Sequence, residues 1–210
     1  MYILVIDTSS KFLSLSLIDI SKENCIAHYV ETEEENSHAR KINFSILDII
    51  EKSQIEMEDL SAIALNEGPG SFTGLRVGSS TAKGLCYSLD LPLINICGLC
   101  AYSKFLYELR VDDFSDVFVL LDARRGNYYY GHFPSSDGEE QAKFGHISDI
   151  EASMNRKLKP WIYYLDKENE PHLSAKELTL VIMEKWKQKA FADIRNFEPL
   201  YIVNNYQTKK

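Results

Sequence analysis

Tyr2-Ile-Leu-Val-Ile-Asp-Thr-Ser-Ser-Lys-Phe-Leu-Ser-Leu-Ser-Leu-Ile-Asp19 opens the chain and decides how the rest of it is read. Tyr2 to Thr8 is apolar until Asp7, as a strand covered on both faces would be. Phe12 to Asp19 alternates apolar and small polar residues with the period of a half-buried strand. The link between them is short, so the second strand returns antiparallel to the first. Cys25 to Thr32 adds a third strand to this meander. A helix from about Ser37 to Ser53 then places Ala39, Ile42, Ile46, Ile49 and Ile50 on one face. Leu60 to Asn66 reads as another buried strand, Gly68 to Gly74 as a loop and Leu75 to Leu89 as a helix. Leu91 to Ile96 is a strand, and a further helix starts near Leu99.

After Asp112-Asp113 the pattern begins again. Asp116 to Leu121 is an apolar strand running up to Asp122, Arg124-Arg-Gly-Asn127 is a turn, and Tyr128 to Phe133 returns. A strand at Trp161 to Leu165 and a helix from Ser174 to about Ala190 follow. Both halves thus open with an apolar strand leading to an aspartate, Asp7 or Asp122, and then turn back, an architectural echo without sequence repetition. The expectation is an α/β protein of two lobes. Residues 1–101 form the first and 102–196 a reduced second, and residues 197–210 pack back on the first.

Composition narrows the function. Apolar residues make up 45% of the 210, enough for a sizeable core. No apolar run approaches the length of a bilayer span, and Met1 leads straight into a strand with none of the marks of a signal peptide. Cys25, Cys86, Cys97 and Cys100 form no secreted disulfide framework, which points to the cytoplasm. With a formal net charge of -8 and only small, separated basic pairs, the chain is not built to grip nucleic acid by itself.

Gly68-Pro-Gly-Ser-Phe-Thr-Gly-Leu-Arg76 follows a strand and opens a helix, where backbone N–H groups and the helix dipole favour an anion. Gly68, Gly70, Ser71, Thr73 and Gly74 are therefore candidate phosphate contacts, with Asp7, Thr8 and Ser9 from the first strand end. Two plainer readings stand beside this one: Ser71 or Thr73 as a helix N-cap, and Asp7-Thr-Ser-Ser10 as an Asx-type turn. It is not a Walker A loop, because Leu75-Arg76 stands where Lys-Ser/Thr is required. Asp122-Ala-Arg124 occupies the matching place in the second half, with less room for phosphate than glycines would leave. Cys97-Gly-Leu-Cys100 has the spacing of a redox dithiol at a helix start, but no second pair completes a zinc site. His38 has no histidine four positions on, no other cluster has ligand spacing, and no nucleophile–base pair is evident, so neither a bound metal nor a catalytic triad is expected. On the Leu75–Leu89 helix, Leu75, Ser79, Ala82, Cys86 and Leu89 form a core stripe, while Val77, Ser80, Gly84 and Ser88 leave the other side small or apolar. Phe44 and, partly, Leu47 lie off the stripe of the Ser37 helix. Either both helices are packed on both sides within the molecule, or these six residues are a surface for another chain; the second is the expectation.

Three motifs, Ile3-Leu-Val-Ile-Asp-Thr-Ser9, Gly68-Pro-Gly-Ser-Phe-Thr-Gly-Leu-Arg-Val-Gly78 with Ala82-Lys-Gly-Leu85, and Leu121-Asp-Ala-Arg-Arg125, resemble the TsaB (YeaZ) family, in that family's order. Glu198-Pro-Leu-Tyr-Ile202 is similar to its C-terminal element, although Val203 stands in place of a basic residue. The resemblance implies an actin-like ATPase fold (ASKHA, RNase H-like) of two related lobes. It also implies a non-catalytic relative of TsaD, whose His-x-x-x-His metal pair is missing here. The implied role is to bind a TsaD-like catalytic subunit through helices of the first lobe, with a TsaE-like ATPase as third partner. The complex transfers threonylcarbamoyl to N6 of the adenosine beside the anticodon (the t6A modification), and tRNA is met only through the complex. In isolation the chain is either a homodimer or a monomer, with no tightly bound cofactor expected and with ATP or ADP a candidate ligand in the assembled complex. Arg76, Asp122 and Arg124 belong to the family motifs without an assigned role. The competing expectation is a small ATP-dependent kinase or hydrolase of the same fold, with Asp7 and the glycine loop active; a metallopeptidase is a third.

Overall fold

The computed structural model describes residues 1–31, 38–109, 117–123, 125–133, 141–153, 161–164 and 174–202. Thr32, Ser37, Asp116, Arg124, Leu165 and the tail beyond Ile202 lie outside the described residues. The first sheet has the order β3-β2-β1-β4-β5, built from β1 (Tyr2–Asp7), β2 (Leu13–Asp19), β3 (Asn24–Glu31), β4 (Leu60–Gly68) and β5 (Leu93–Cys97). β1, β2 and β3 pair antiparallel, with Leu4 opposite Leu17. β4 and β5 run parallel to β1, each reached by a crossover helix: α1 (His38–Lys52) before β4 and α2 (Phe72–Leu89) before β5.

Alternation along β1 explains why the whole run is apolar. Leu4 and Ile6 face Ile42, Ile46, Ala82 and Cys86 of α1 and α2, while Ile3 and Val5 face the other way. That second face meets α3 (Gly98–Glu108), the Ala175–Leu178 3-10 turn and α5 (Thr179–Lys187). A strand buried on both sides reads as a continuous hydrophobic run.

Among the described residues the second sheet, β8-β7-β6-β9, repeats the first without its last strand. β6 (Val117–Asp122) and β7 (Asn127–Phe133) are antiparallel, β8 (Gln141–His146) extends them, α4 (Ile147–Ser153) follows, and β9 (Trp161–Tyr164) pairs parallel to β6. Val117, Val119 and Leu121 join the layer holding α3 and α5; Phe118 and Leu120 pack with Ile150 of α4 on the outside. The layers therefore run helix, sheet, helix, sheet, helix. After α5 the chain returns to the first sheet, where Ala192 N–H donates to Leu93 O and Leu200 N–H to Glu67 O.

Several boundaries differ from expectation for local reasons. α2 begins at Phe72, three residues before Leu75, because Ser71 is its N-cap and accepts from Gly74 N–H at 3.3 Å. The Leu91–Ile96 strand starts two residues later, since Leu91 N–H still closes on Cys86 O and Asp90 ends α2 in the left-handed region. The Ser174 helix is a capped 3-10 turn followed by a helix ending at Lys187. β8 and α4 were not anticipated from the sequence.

Candidate functional site

β1 ends in a buried carboxylate. Asp7 Oδ1 accepts from Ser9 N–H (2.9 Å) and Ser9 Oγ–H (2.7 Å). Its Oδ2 accepts from Asn66 Nδ2 (2.9 Å) and Tyr102 Oη (2.6 Å). Asn66 in turn donates to Ser9 Oγ and uses its carbonyl to accept from Gly68 N–H and Gly98 N–H, both at 3.0 Å. One carboxylate and one amide thus tie together the end of β1, the end of β4, the start of the glycine loop and the start of α3. Asp7 is 5% exposed and Asn66 2%, so the network is closed to water.

The glycine loop packs directly on the same turn. Ser71 N–H donates to Ser9 O (2.7 Å), and Thr8 Oγ1–H donates to Gly74 O (2.8 Å). A Cβ on Gly70 would collide with the Ser9 carbonyl, and one on Gly74 with the Thr8 carbonyl. Glycine is needed there because two backbones touch. The candidate phosphate contacts are therefore brought together, but Asp7, Thr8, Ser9, Gly70 and Gly74 are occupied with one another and Gly68 N–H with Asn66. Ser71 and Thr73 remain exposed beside them. Arg76, exposed as well, lays its guanidinium over the Phe72 ring at 4.2 Å, and that ring meets Tyr201 at 5.2 Å. Asp122, the counterpart of Asp7 in the second sheet, is exposed where Asp7 is buried, and Arg124 lies outside the described residues.

The outer faces of α1 and α2, which pack side by side, form the other candidate region. Phe44 is 72% exposed, Leu47 59% and Tyr87 84%. Ser80, Gly84 and Ser88 are exposed on α2, and a Cβ on Gly84 would meet nothing within 4 Å. Val77 departs from the expected face: it is half-buried and packs on the core beneath α2. Leu85 is partly buried on the same cluster, so the buried stripe is wider than the residues counted from periodicity. Tyr87 was missed, though it stands one turn beyond Gly84 and carries a large ring where a solvated helix would carry charge. Among the described residues no group of three or more His, Cys, Asp or Glu side chains could hold a metal ion, and no helix is long and apolar enough to cross a membrane.

The sheet order and the aspartate-ended β1 define an actin-like, RNase H-like protein. Residues 26–157 match the family model of TsaD, tRNA N6-adenosine threonylcarbamoyltransferase. Two Pseudomonas aeruginosa structures agree on the fold at 20% identity. YeaZ superposes with a TM-score of 0.72 over 96% of this chain and 100% of that one. A protein with similarity to peptidase YeaZ gives 0.75 over 96% and 99%. The Bacillus subtilis tRNA threonylcarbamoyladenosine biosynthesis protein TsaB is 31% identical over 176 residues, 82% of this chain and 69% of that protein. Its Escherichia coli namesake is 26% identical over 232 residues, 100% and 98%. The Haemophilus influenzae one is 32% identical over 128 residues, 61% of this chain and 52% of the relative. The chain belongs to the TsaB family of tRNA threonylcarbamoyladenosine biosynthesis proteins.

Proposed function

We propose that this chain is a non-catalytic subunit of the t6A-forming machinery that docks the outer face of α1 and α2 on a TsaD-type catalytic subunit. The observation that carries the proposal is the exposure of Phe44, Leu47 and Tyr87 on adjacent helices around Gly84, where no side chain obstructs close approach. Large apolar side chains gain their transfer free energy only when another surface covers them. A second copy of the chain can use the same face when the partner is absent. A TsaE-like ATPase and tRNA are partners of the assembled complex.

The kinase or hydrolase reading needs Asp7 and the glycine loop to receive phosphate and its metal. The residues do not fit that role: both Asp7 oxygens accept from the chain's own donors, and Gly70 and Gly74 abut the Thr8-Ser9 backbone. On the proposed reading, ATP or ADP is a ligand of the complex and not of this site.

The experiment is titration of the purified chain against its TsaD-type partner. Gly84→Glu should leave the free chain folded, and slightly more stable, because glycine is a poor helix residue by about 0.5–1 kcal/mol. In the complex it buries an unpaired carboxylate, and a loss of about 4 kcal/mol weakens binding roughly a thousandfold. Phe44→Ala should cost about tenfold or more. Wild-type affinity in both variants would move the interface elsewhere.

A further inference from the structure

The Cys97-Gly-Leu-Cys100 segment plays no part in the docking face, yet its geometry is specific. Cys97 ends β5 and is the N-cap residue of the eleven-residue α3; Cys100 lies in the first turn. The two sulfurs are 2.9 Å apart, with the Cys97 thiol donating to Cys100. Positions i and i+3 of a helical turn bring Cα atoms about 5–6 Å apart, within the span a disulfide bridges. Cys97 is partly exposed while Cys100 is 8% exposed, so an outside reagent meets Cys97 first and finds Cys100 waiting behind it. The positive end of the α3 dipole favours a thiolate at this place.

We infer that Cys97 and Cys100 are a reactive dithiol that closes to an intramolecular disulfide by exchange with small-molecule disulfides. The Cys97 thiolate attacks one sulfur of the small disulfide, forming a mixed disulfide and releasing one small thiolate. Cys100 then gives up its proton to solvent and attacks the Cys97 sulfur, releasing the second small thiolate. The protein thiols are oxidised by two electrons, and the small disulfide is reduced to two thiols.

The other two cysteines supply the internal contrast. Burial pushes the Cys86 thiol up to about 12 and raises that of Cys25, so neither forms the attacking thiolate readily. The dithiol also sits on the central network. Gly98, between the two cysteines, donates to Asn66, and Tyr102 of the same helix donates to Asp7.

The test treats the native full chain with oxidised glutathione and reads intact mass and disulfide-linked peptides, with circular dichroism confirming the fold. The expected product is lighter by two hydrogens, with Cys97 linked to Cys100 and no lasting glutathione adduct. Cys100→Ser should instead accumulate one glutathione on Cys97, and Cys97→Ser should react at least about tenfold more slowly. Differential alkylation of the wild type, which needs no variant to fold, should label Cys97 at least about tenfold faster than Cys86. A wild-type chain that stays reduced under glutathione that oxidises a reference dithiol peptide would overturn the inference. So would a stable Cys97 adduct that Cys100 fails to displace.

Discussion

Asp7→Asn changes one atom and removes one charge, and the hydrogen bonds around it set the cost. In the native chain four donor interactions converge on the carboxylate: Ser9 N–H, Ser9 Oγ–H, Asn66 Nδ2 and Tyr102 Oη. An asparagine keeps one acceptor oxygen and turns the other into an NH2. The Ser9 and Tyr102 hydroxyls can rotate to accept. Asn66 cannot flip to help, because its carbonyl holds Gly68 N–H and Gly98 N–H. Whichever way residue 7 turns, one fixed buried donor, Ser9 N–H or Asn66 NH2, faces another donor. An unsatisfied buried donor costs about 1–3 kcal/mol, and the remaining bonds lose the strength that ionisation lent them. A total near 3 kcal/mol, at about 2–4 °C per kcal/mol for a chain of this size, predicts a fall in Tm of about 6–12 °C. Asp122→Asn, at the exposed counterpart, should cost under about 1 kcal/mol. Thermal and urea unfolding measure both. If Asp7→Asn is as stable as wild type, or more so, the carboxylate is being held for a ligand at the expense of the fold, and the reasoning fails.

Two further substitutions test separate parts of the molecule. Gly74→Ala drives a methyl group into the Thr8 carbonyl and should destabilise by about 3 kcal/mol or lose soluble expression altogether, read by soluble yield and urea midpoint. Cys86 contributes to alkaline stability: burial favours its neutral thiol, so its contribution is complete below about pH 9 and lost as pH rises through about 12. At most about 4 kcal/mol is at stake, and Cys86→Ala should flatten the alkaline limb of a stability–pH profile without moving the neutral plateau by more than about 1 kcal/mol.

What could be read from the sequence followed burial. β1, β4 and β6 were legible because both their faces are covered, and the reversal after Asp7 and Asp122 fixed the echo between the halves. β8 was not, because Gln141-Ala-Lys-Phe-Gly-His146 is an edge strand with little apolar content, and α4 buries only Ile150. The start of α2 was misplaced because its first turn buries no large side chain, so hydrophobic periodicity begins at Leu75, a turn after the cap. Asp7, Ser9, Gly70 and Gly74 do lie together, but the side chains that tie the group were not visible. Tyr102 lies 95 positions from Asp7 and Asn66 lies 59, and nothing in local pattern announces such pairings. The same holds for Val77, which packs on a core cluster that also includes sheet residues and Phe197 of the returning chain.

The layer between the two sheets has a consequence for how the chain is made. Ile3, Val5 and Ile94 of the first sheet share that layer with Val119 of the second and with Ile182 and Met183 of α5. A nascent chain that has emerged as far as α3 has formed its first sheet but lacks most of the cover for one face. Synthesis of the remaining stretch up to α5, about 70 residues at about 5–20 residues per second, leaves that apolar face open for about 3.5–14 s. A chain cut between α3 and β6 yields halves that each present a raw hydrophobic face, prone to aggregate and dependent on a holding chaperone.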